Sequence, residues 1–233
     1  MGKYIRAELY RITRRKLFVV SAIIISVVYV AVTYLITGEW MVSREVLAQG
    51  SGMFSFAALF ILTPIADHFR ERTALYEIMD GTSPHIMIWY RIIIYISFIL
   101  ILLYLPAAGL LFIYDRSIDA LLQLALMLCI YIRLGIFGIC AALTGKNIES
   151  LLLLFARMIA ESAVVALGAE LGLWKAAAVA SYLPYTQLPM LSSEIGTSFI
   201  MKITIGAAVE MILMYLLAYK SYKKKWAIKS VVQ

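Results

Sequence analysis

Polar chemistry is scarce in this chain. Charged residues occupy 15% of its 233 positions, where soluble domains carry about a quarter. It has only two histidines, His68 and His85, seventeen residues apart. No His-Glu-x-x-His run exists; of the two readings of this pair, metal binding and interfacial hydrogen bonding, the second fits their place near the cytoplasmic interface better. The two cysteines, Cys129 and Cys140, lie eleven residues apart on one apolar segment. That is about 16 Å of helical rise, too far for a disulfide, and both read as small core residues. Gly145-Lys146 lacks the rest of a phosphate-binding loop: Cys140 stands at the first glycine position and Asn147 at the Ser/Thr position. Neither a nucleophile elbow nor a serine paired to a lysine base is found. The chain is therefore expected to be non-catalytic, with no metal and no cofactor of its own.

What it has in abundance is apolar surface: 63% hydrophobic side chains and a mean hydropathy of +0.90. A membrane span needs about 20 mainly apolar residues, because every backbone polar group must be satisfied within it. Six segments qualify, at 17–37, 51–66, 91–114, 118–144, 149–172 and 199–219. The expected fold is all-α, a polytopic membrane protein with six transmembrane helices forming one domain over 1–233. The first segment follows basic residues as a signal peptide does, but its apolar run is long and no small-x-small cleavage site follows, so it reads as retained. Arg6 stands where a myristoylation motif has Ser or Thr. Within 1–16, Ile5, Leu9 and Ile12 recur at helical spacing among bases. This predicts an amphipathic helix lying in the membrane interface; a plain basic flank is the alternative.

The excess of positive charge is +7, and its distribution carries more information than its size. Fifteen of the 21 bases fall on one side of the expected spans: those before residue 17, those after 219, Arg70, Arg72 and Arg91 between spans two and three, and Lys146 between four and five. The opposite connections hold Arg44, Arg116 and Lys175. This bias orients the chain in the plasma membrane with both termini cytoplasmic. It also makes membrane lipid, and not nucleic acid, the expected partner of the bases.

The outer connections 38–50 and 115–117 leave no room for an extracellular domain. Residues 173–198 differ: an apolar run of about eleven residues is too short to cross, and Pro184 and Pro189 interrupt any continuous helix. An external half-buried or re-entrant hairpin is expected there, sheltered by protein or facing water. Gly168 and Gly172 form a Gly-x-x-x-Gly pair in span five, which predicts close helix packing.

The most informative stretch is the charged island between spans two and three. From Arg70 to Asp80, the apolar Leu75, Ile78 and Met79 share one helical face, while Arg70, Glu71, Arg72, Glu77 and Asp80 occupy the rest. Gly81 supplies a left-handed stop, and Thr82-Ser83-Pro84 supplies a cap with proline at the first helical position, restarting a helix near His85. The plain alternative, a solvated loop held up by its charges, needs neither feature. The run Ala66-Asp67-His68-Phe69-Arg70-Glu71-Arg72-Thr73, then Asp80-Gly81-Thr82-Ser83-Pro84 and Trp89-Tyr90-Arg91, resembles the permease subunits of type 2 ATP-binding cassette exporters. Arg72 stands where the family often has glycine, and the basic residue that often follows the central turn is missing. The resemblance extends to the basic N-terminus, the six spans and the hairpin before the last of them. It implies that 67–84 is the cytoplasmic coupling helix, docked on a separate ATPase subunit that holds ATP and magnesium, and that a second permease, identical or related, completes the pair. Short permeases of this kind resemble those of lantibiotic immunity and bacitracin export, implying an amphiphilic cargo such as a peptide antibiotic or drug.

Four ionisable residues fall deep within the expected spans: Arg133, Arg157, Glu161 and Glu210. Counted from the span ends, Arg133, Arg157 and Glu210 lie at similar depth, about 12–17 Å, and Glu161 somewhat deeper. Charges at that depth are costly and rarely face lipid, so two bases and two acids suggest a neutral network that registers spans four to six or contacts substrate. Glu170 and Lys202 lie near the outer surface and can snorkel. Two other classes remain in view. An ion-coupled secondary transporter would use the four intramembrane charges but predicts an internal repeat, and none is evident; a scaffold or sensor partner would use the cytoplasmic helix without transport.

Overall fold

The computed structural model of the chain describes residues 2–14, 81–114, 117–144, 152–172, 174–191 and 195–230, with isolated helical positions between 20 and 65. Every regular element among the described residues is a helix. Three helical stretches, Pro84–Tyr104, Ile118–Thr144 and Thr197–Ser221, are long and apolar enough to cross a membrane. The chain is thus an all-α protein with the helices of a multi-pass membrane protein. The segment Arg70–Asp80 and the connection 38–50 lie outside the described residues, as do most of the spans 17–37 and 51–66 and of the turn 144–149.

Helix α1 is Gly2–Arg14. Ile5, Glu8 and Ile12 form the face it turns inward, while Leu9 and Tyr10 are exposed. The sequence spacing favours Leu9 for that face, but Glu8 takes the inner place because the Tyr95 hydroxyl, fully buried, donates to Glu8 Oε1 at 3.0 Å. A buried tyrosine hydroxyl needs a partner, and an apolar Leu9 offers none.

Helix α2 is Pro84–Ile99, entered from Gly81 at φ 72° and an extended Ser83. Ser83 is the N-cap residue without a side-chain cap bond; Pro84 alone marks the helix start. Arg91, counted among the loop bases on sequence, is instead fully buried seven residues into this helix. Its guanidinium lies 4.9 Å from the Tyr90 ring centre and Nη1 donates to the Met87 carbonyl. The rod continues through a π-helical turn, Leu100–Tyr104, into α3, Leu105–Tyr114. Pro106 gives the reason for the widened turn: its ring lacks an N–H for the carbonyl one turn back and needs extra space there.

Helix α4, Ile118–Thr144, is the centre of the bundle and buries sixteen of its residues. It runs antiparallel to α2: Tyr104 donates to the Leu124 carbonyl at 3.2 Å near one end, while Gly135 faces Ile96 and Ile99. Gly138 faces Leu62 and Leu154, so a smooth strip on α4 receives neighbours from two sides. Ala58, Ile61, Leu62 and Ile65, all buried and helical, recur at three- and four-residue spacing toward that core.

Helix α5, Leu153–Glu170, returns antiparallel to α4 and ends at Gly172 with φ 61°. Gly172 corrects the expected Gly-x-x-x-Gly packing pair: it lies past the helix end, with open space where a Cβ would be. A positive φ, not close approach, is what it supplies. Two seven-residue helices follow, α6 Trp174–Ala180 and α7 Pro184–Met190, with Pro184 in the first turn of α7 and Pro189 near its end. Last is α8, Thr197–Ser230, whose 34 residues span about 50 Å, well beyond the ~30 Å of a bilayer core.

Candidate functional site

Depth along a helix brings ionisable groups to one level, but contact depends on which faces the helices turn to each other. Arg133 of α4, Arg157 and Glu161 of α5 and Glu210 of α8 meet as one cluster. Arg133 Nε donates to Glu210 Oε2 at 2.5 Å, and Arg157 Nε donates to Glu161 Oε1 at the same distance across one helical turn. Arg157 also grips Glu210 with both terminal nitrogens, Nη2 to Oε2 at 2.9 Å and Nη1 to Oε1. Glu210 therefore receives three donors from two arginines, a planar fork geometry that lysine could not reproduce.

The short helix α7 is part of the same cluster. Its Tyr185 N–H, a first-turn donor that has no acceptor within the helix, donates to Glu161 Oε2 at 2.8 Å. Gln187, with no exposed surface, accepts from Arg133 Nη1 at 3.2 Å. Its amide nitrogen donates to the Ser181 carbonyl at 3.0 Å, closing the turn between α6 and α7. Glu161 lies nine residues before the end of α5, about 14 Å of rise. After α5 ends, the chain thus folds back by that depth, and in the turn 181–183 Ser181 is buried while Tyr182 stays exposed. Lys202 Nζ lies over the Tyr182 ring at 5.7 Å on the same side.

Two further residues complete the surroundings. The Arg157 guanidinium lies 4.4 Å from the Phe137 ring centre, a cation–π contact at a largely buried side chain. Gly206 on α8 leaves room for Arg133: an added Cβ would stand 3.0 Å from Nη1 and 3.3 Å from the Tyr182 carbonyl. Arg133 and Glu161 are almost wholly buried, whereas the Glu210 and Arg157 side chains keep 17% and 13% exposure. The Glu210 edge is the open one. Two positive and two negative groups balance, so the cluster is neutral, each charge facing its opposite instead of lipid.

Sequence reasoning did not single out Gln187, the Tyr185 amide, Phe137 or Gly206. Pro184 gave one usable signal, since a proline-started helix exposes first-turn N–H groups that need an acceptor. Of the second set of expected site residues, Gly81 is described and has φ 72°; Arg70, Glu71, Arg72, Leu75, Glu77, Ile78, Met79 and Asp80 lie outside the described residues. No group of three or more metal-ligating side chains gathers among the described residues. No family model, curated protein or solved structure matches the chain.

Proposed function

We propose that the chain is the membrane permease subunit of an ATP-binding cassette exporter, working with an identical or related permease and with cytoplasmic ATPase subunits that bind ATP and magnesium. Six spans cross the membrane: the three long apolar helices, α5, and the segments 17–37 and 51–66. Both termini and residues 67–84 face the cytoplasm, and α6 and α7 form a hairpin that enters from outside. The observation that supports this reading most is the elbow at 81–84. Gly81 has φ 72°, Ser83 is extended and Pro84 opens α2, so a force on the amphipathic segment before it meets a helix end and not slack chain. From α2 the push passes to α4 and α8, which pack against it. The cargo is amphiphilic, a peptide antibiotic or drug of the kind that the sequence resemblance implies, and the chain itself is no enzyme.

The test is co-purification. The tagged chain is co-expressed with a candidate cassette ATPase, and retention is compared with that of Glu77→Arg and Leu75→Asp. Wild type should hold the ATPase and both variants should lose most of it. If wild type retains no candidate ATPase in mild detergent, the exporter reading fails. A second reading rests on the charge cluster: an ion-coupled transporter that uses Glu210 or Glu161 as its ion site. It predicts uptake or efflux driven by a proton or sodium gradient in vesicles holding this chain alone.

A further inference from the structure

Where the start of α2 meets the last apolar turns of α8, four rings gather. His85 stacks on Tyr219 with centres 4.2 Å apart, its Nδ1 lies 2.5 Å from the Tyr215 hydroxyl, and Trp89 lies 5.6 Å from the Tyr215 ring. His85 and Trp89 are exposed, so the cluster forms part of the outer surface and not of the core. Beside it, Ile86 and Ile93 on α2 and Ile212 and Leu216 on α8 are exposed as well, an apolar apron that hydrocarbon chains would cover. Tyr215, Tyr219 and Lys223 occupy successive turns of one face of α8. Lys220, Lys223 and Lys224 are all exposed, and they follow on α8 just past Tyr219, which stacks on His85 at the start of α2.

From this order of chemistry along one face, apolar apron, aromatic girdle, then cations, we infer that the face shared by His85, Trp89, Tyr215, Tyr219 and Lys223 holds an anionic phospholipid. Its acyl chains lie on Ile93 and Ile212, its glycerol and ester region lies against the rings with Ile86 and Leu216 beside them, and its phosphate meets Lys223 with Lys220 or Lys224. Tryptophan and tyrosine favour the head-group level because their rings are apolar with a polar edge. Lysines just beyond that level attract acidic head groups, each contributing about a fivefold preference at ordinary ionic strength. A soluble acidic partner would match the lysines but leave the apolar apron uncovered, and a neutral lipid would match the apron but not the lysines. The inference is independent of any ATPase.

The experiment reads Trp89 directly. In the full chain, Trp40, Trp174 and Trp226 are replaced by phenylalanine, and quenching of Trp89 is compared for brominated phosphatidylglycerol and brominated phosphatidylcholine in equimolar vesicles. Phosphatidylglycerol should quench several-fold more effectively, and the preference should vanish in Lys220→Gln/Lys223→Gln/Lys224→Gln and at high salt. Equal quenching by the two lipids, or a preference unchanged in the triple variant, overturns the proposal. If the phenylalanine background fails to fold, the chain with its own tryptophans is purified from the same vesicles and the retained lipids are quantified by mass spectrometry. Enrichment of phosphatidylglycerol lost in the lysine variant supports the site; no enrichment, or enrichment that persists in the variant, refutes it.

Discussion

At the scale of single residues, Glu210 is the acceptor that holds two arginines together, so its removal is felt twice. Glu210→Leu leaves Arg133 without its ion pair and Arg157 with Glu161 alone. Breaking one partner of a buried pair costs about 3–5 kcal/mol, and the variant should melt well below wild type in detergent and accumulate poorly. Normal yield and an unshifted melting temperature would show that the cluster is not holding the helices. Gln187→Leu tests the bond from the bundle to α7: it removes an acceptor for Arg133 and a donor for the Ser181 carbonyl in a site without exposed surface. Unfolding in denaturing detergent should reveal a loss of about 1–3 kcal/mol. The four charged residues could be found from sequence because ionisable groups are conspicuous in apolar segments; Gln187 could not, since a glutamine in a connection is ordinary until the fold buries it.

At the scale of elements, two glycines make opposite predictions about why they are glycine. An added Cβ at Gly138 would stand 2.5 Å from Leu62 Cδ1 and 3.1 Å from Leu154 Cδ1, so Gly138→Ala should cost about 1–3 kcal/mol through overpacking. Replacing Leu62 with alanine in the same chain should recover part of it. Gly81 has nothing within 4 Å of that position but has φ 72°, so Gly81→Ala strains the backbone by about 1–2 kcal/mol, and no neighbouring truncation should rescue it. Equilibrium unfolding of the four chains separates the cases. The extents of α4 and the restart of α2 at proline were legible from sequence, because an uninterrupted apolar run and a Ser-Pro pair are local signals. A half-buried or re-entrant hairpin over 173–198 was expected from its short apolar run and its prolines; the contacts of α7 were not legible, because Glu161 and Arg133 are far from it in sequence.

At the scale of the whole molecule, the cluster joins α4, α5, α7 and α8, so its stability role and any role in moving cargo can be separated. Arg133→Met with Glu210→Met replaces an opposed pair by apolar groups of similar bulk, which often restores stability lost in the single variants. The double variant should melt closer to wild type than Glu210→Leu does. If drug or peptide export by the proposed complex stays lost while the chain is stable, the charges act in transport; if export returns with stability, they act by holding the bundle. The exposed apolar side chains along α8, among them Met201, Ile205, Val209 and Leu213, follow from the same membrane setting and need hydrocarbon or another membrane protein against them.

The sequence by itself determined that this chain is helical and suited to a membrane, where charge is placed along it, and where its helices α2 and α4 begin. Those properties follow from composition and from hydrogen bonding within each helix, both readable over a few turns of chain. Only the tertiary structure decided which arginine grips which glutamate, that Arg91 and Glu8 are buried, and that Gly172 serves a turn while Gly135 and Gly138 serve packing. It also brought His85 and Trp89 beside Tyr215, 130 and 126 residues away. Each of these depends on how helices are rotated about their axes and set against neighbours, a choice made by the sum of many contacts between distant segments.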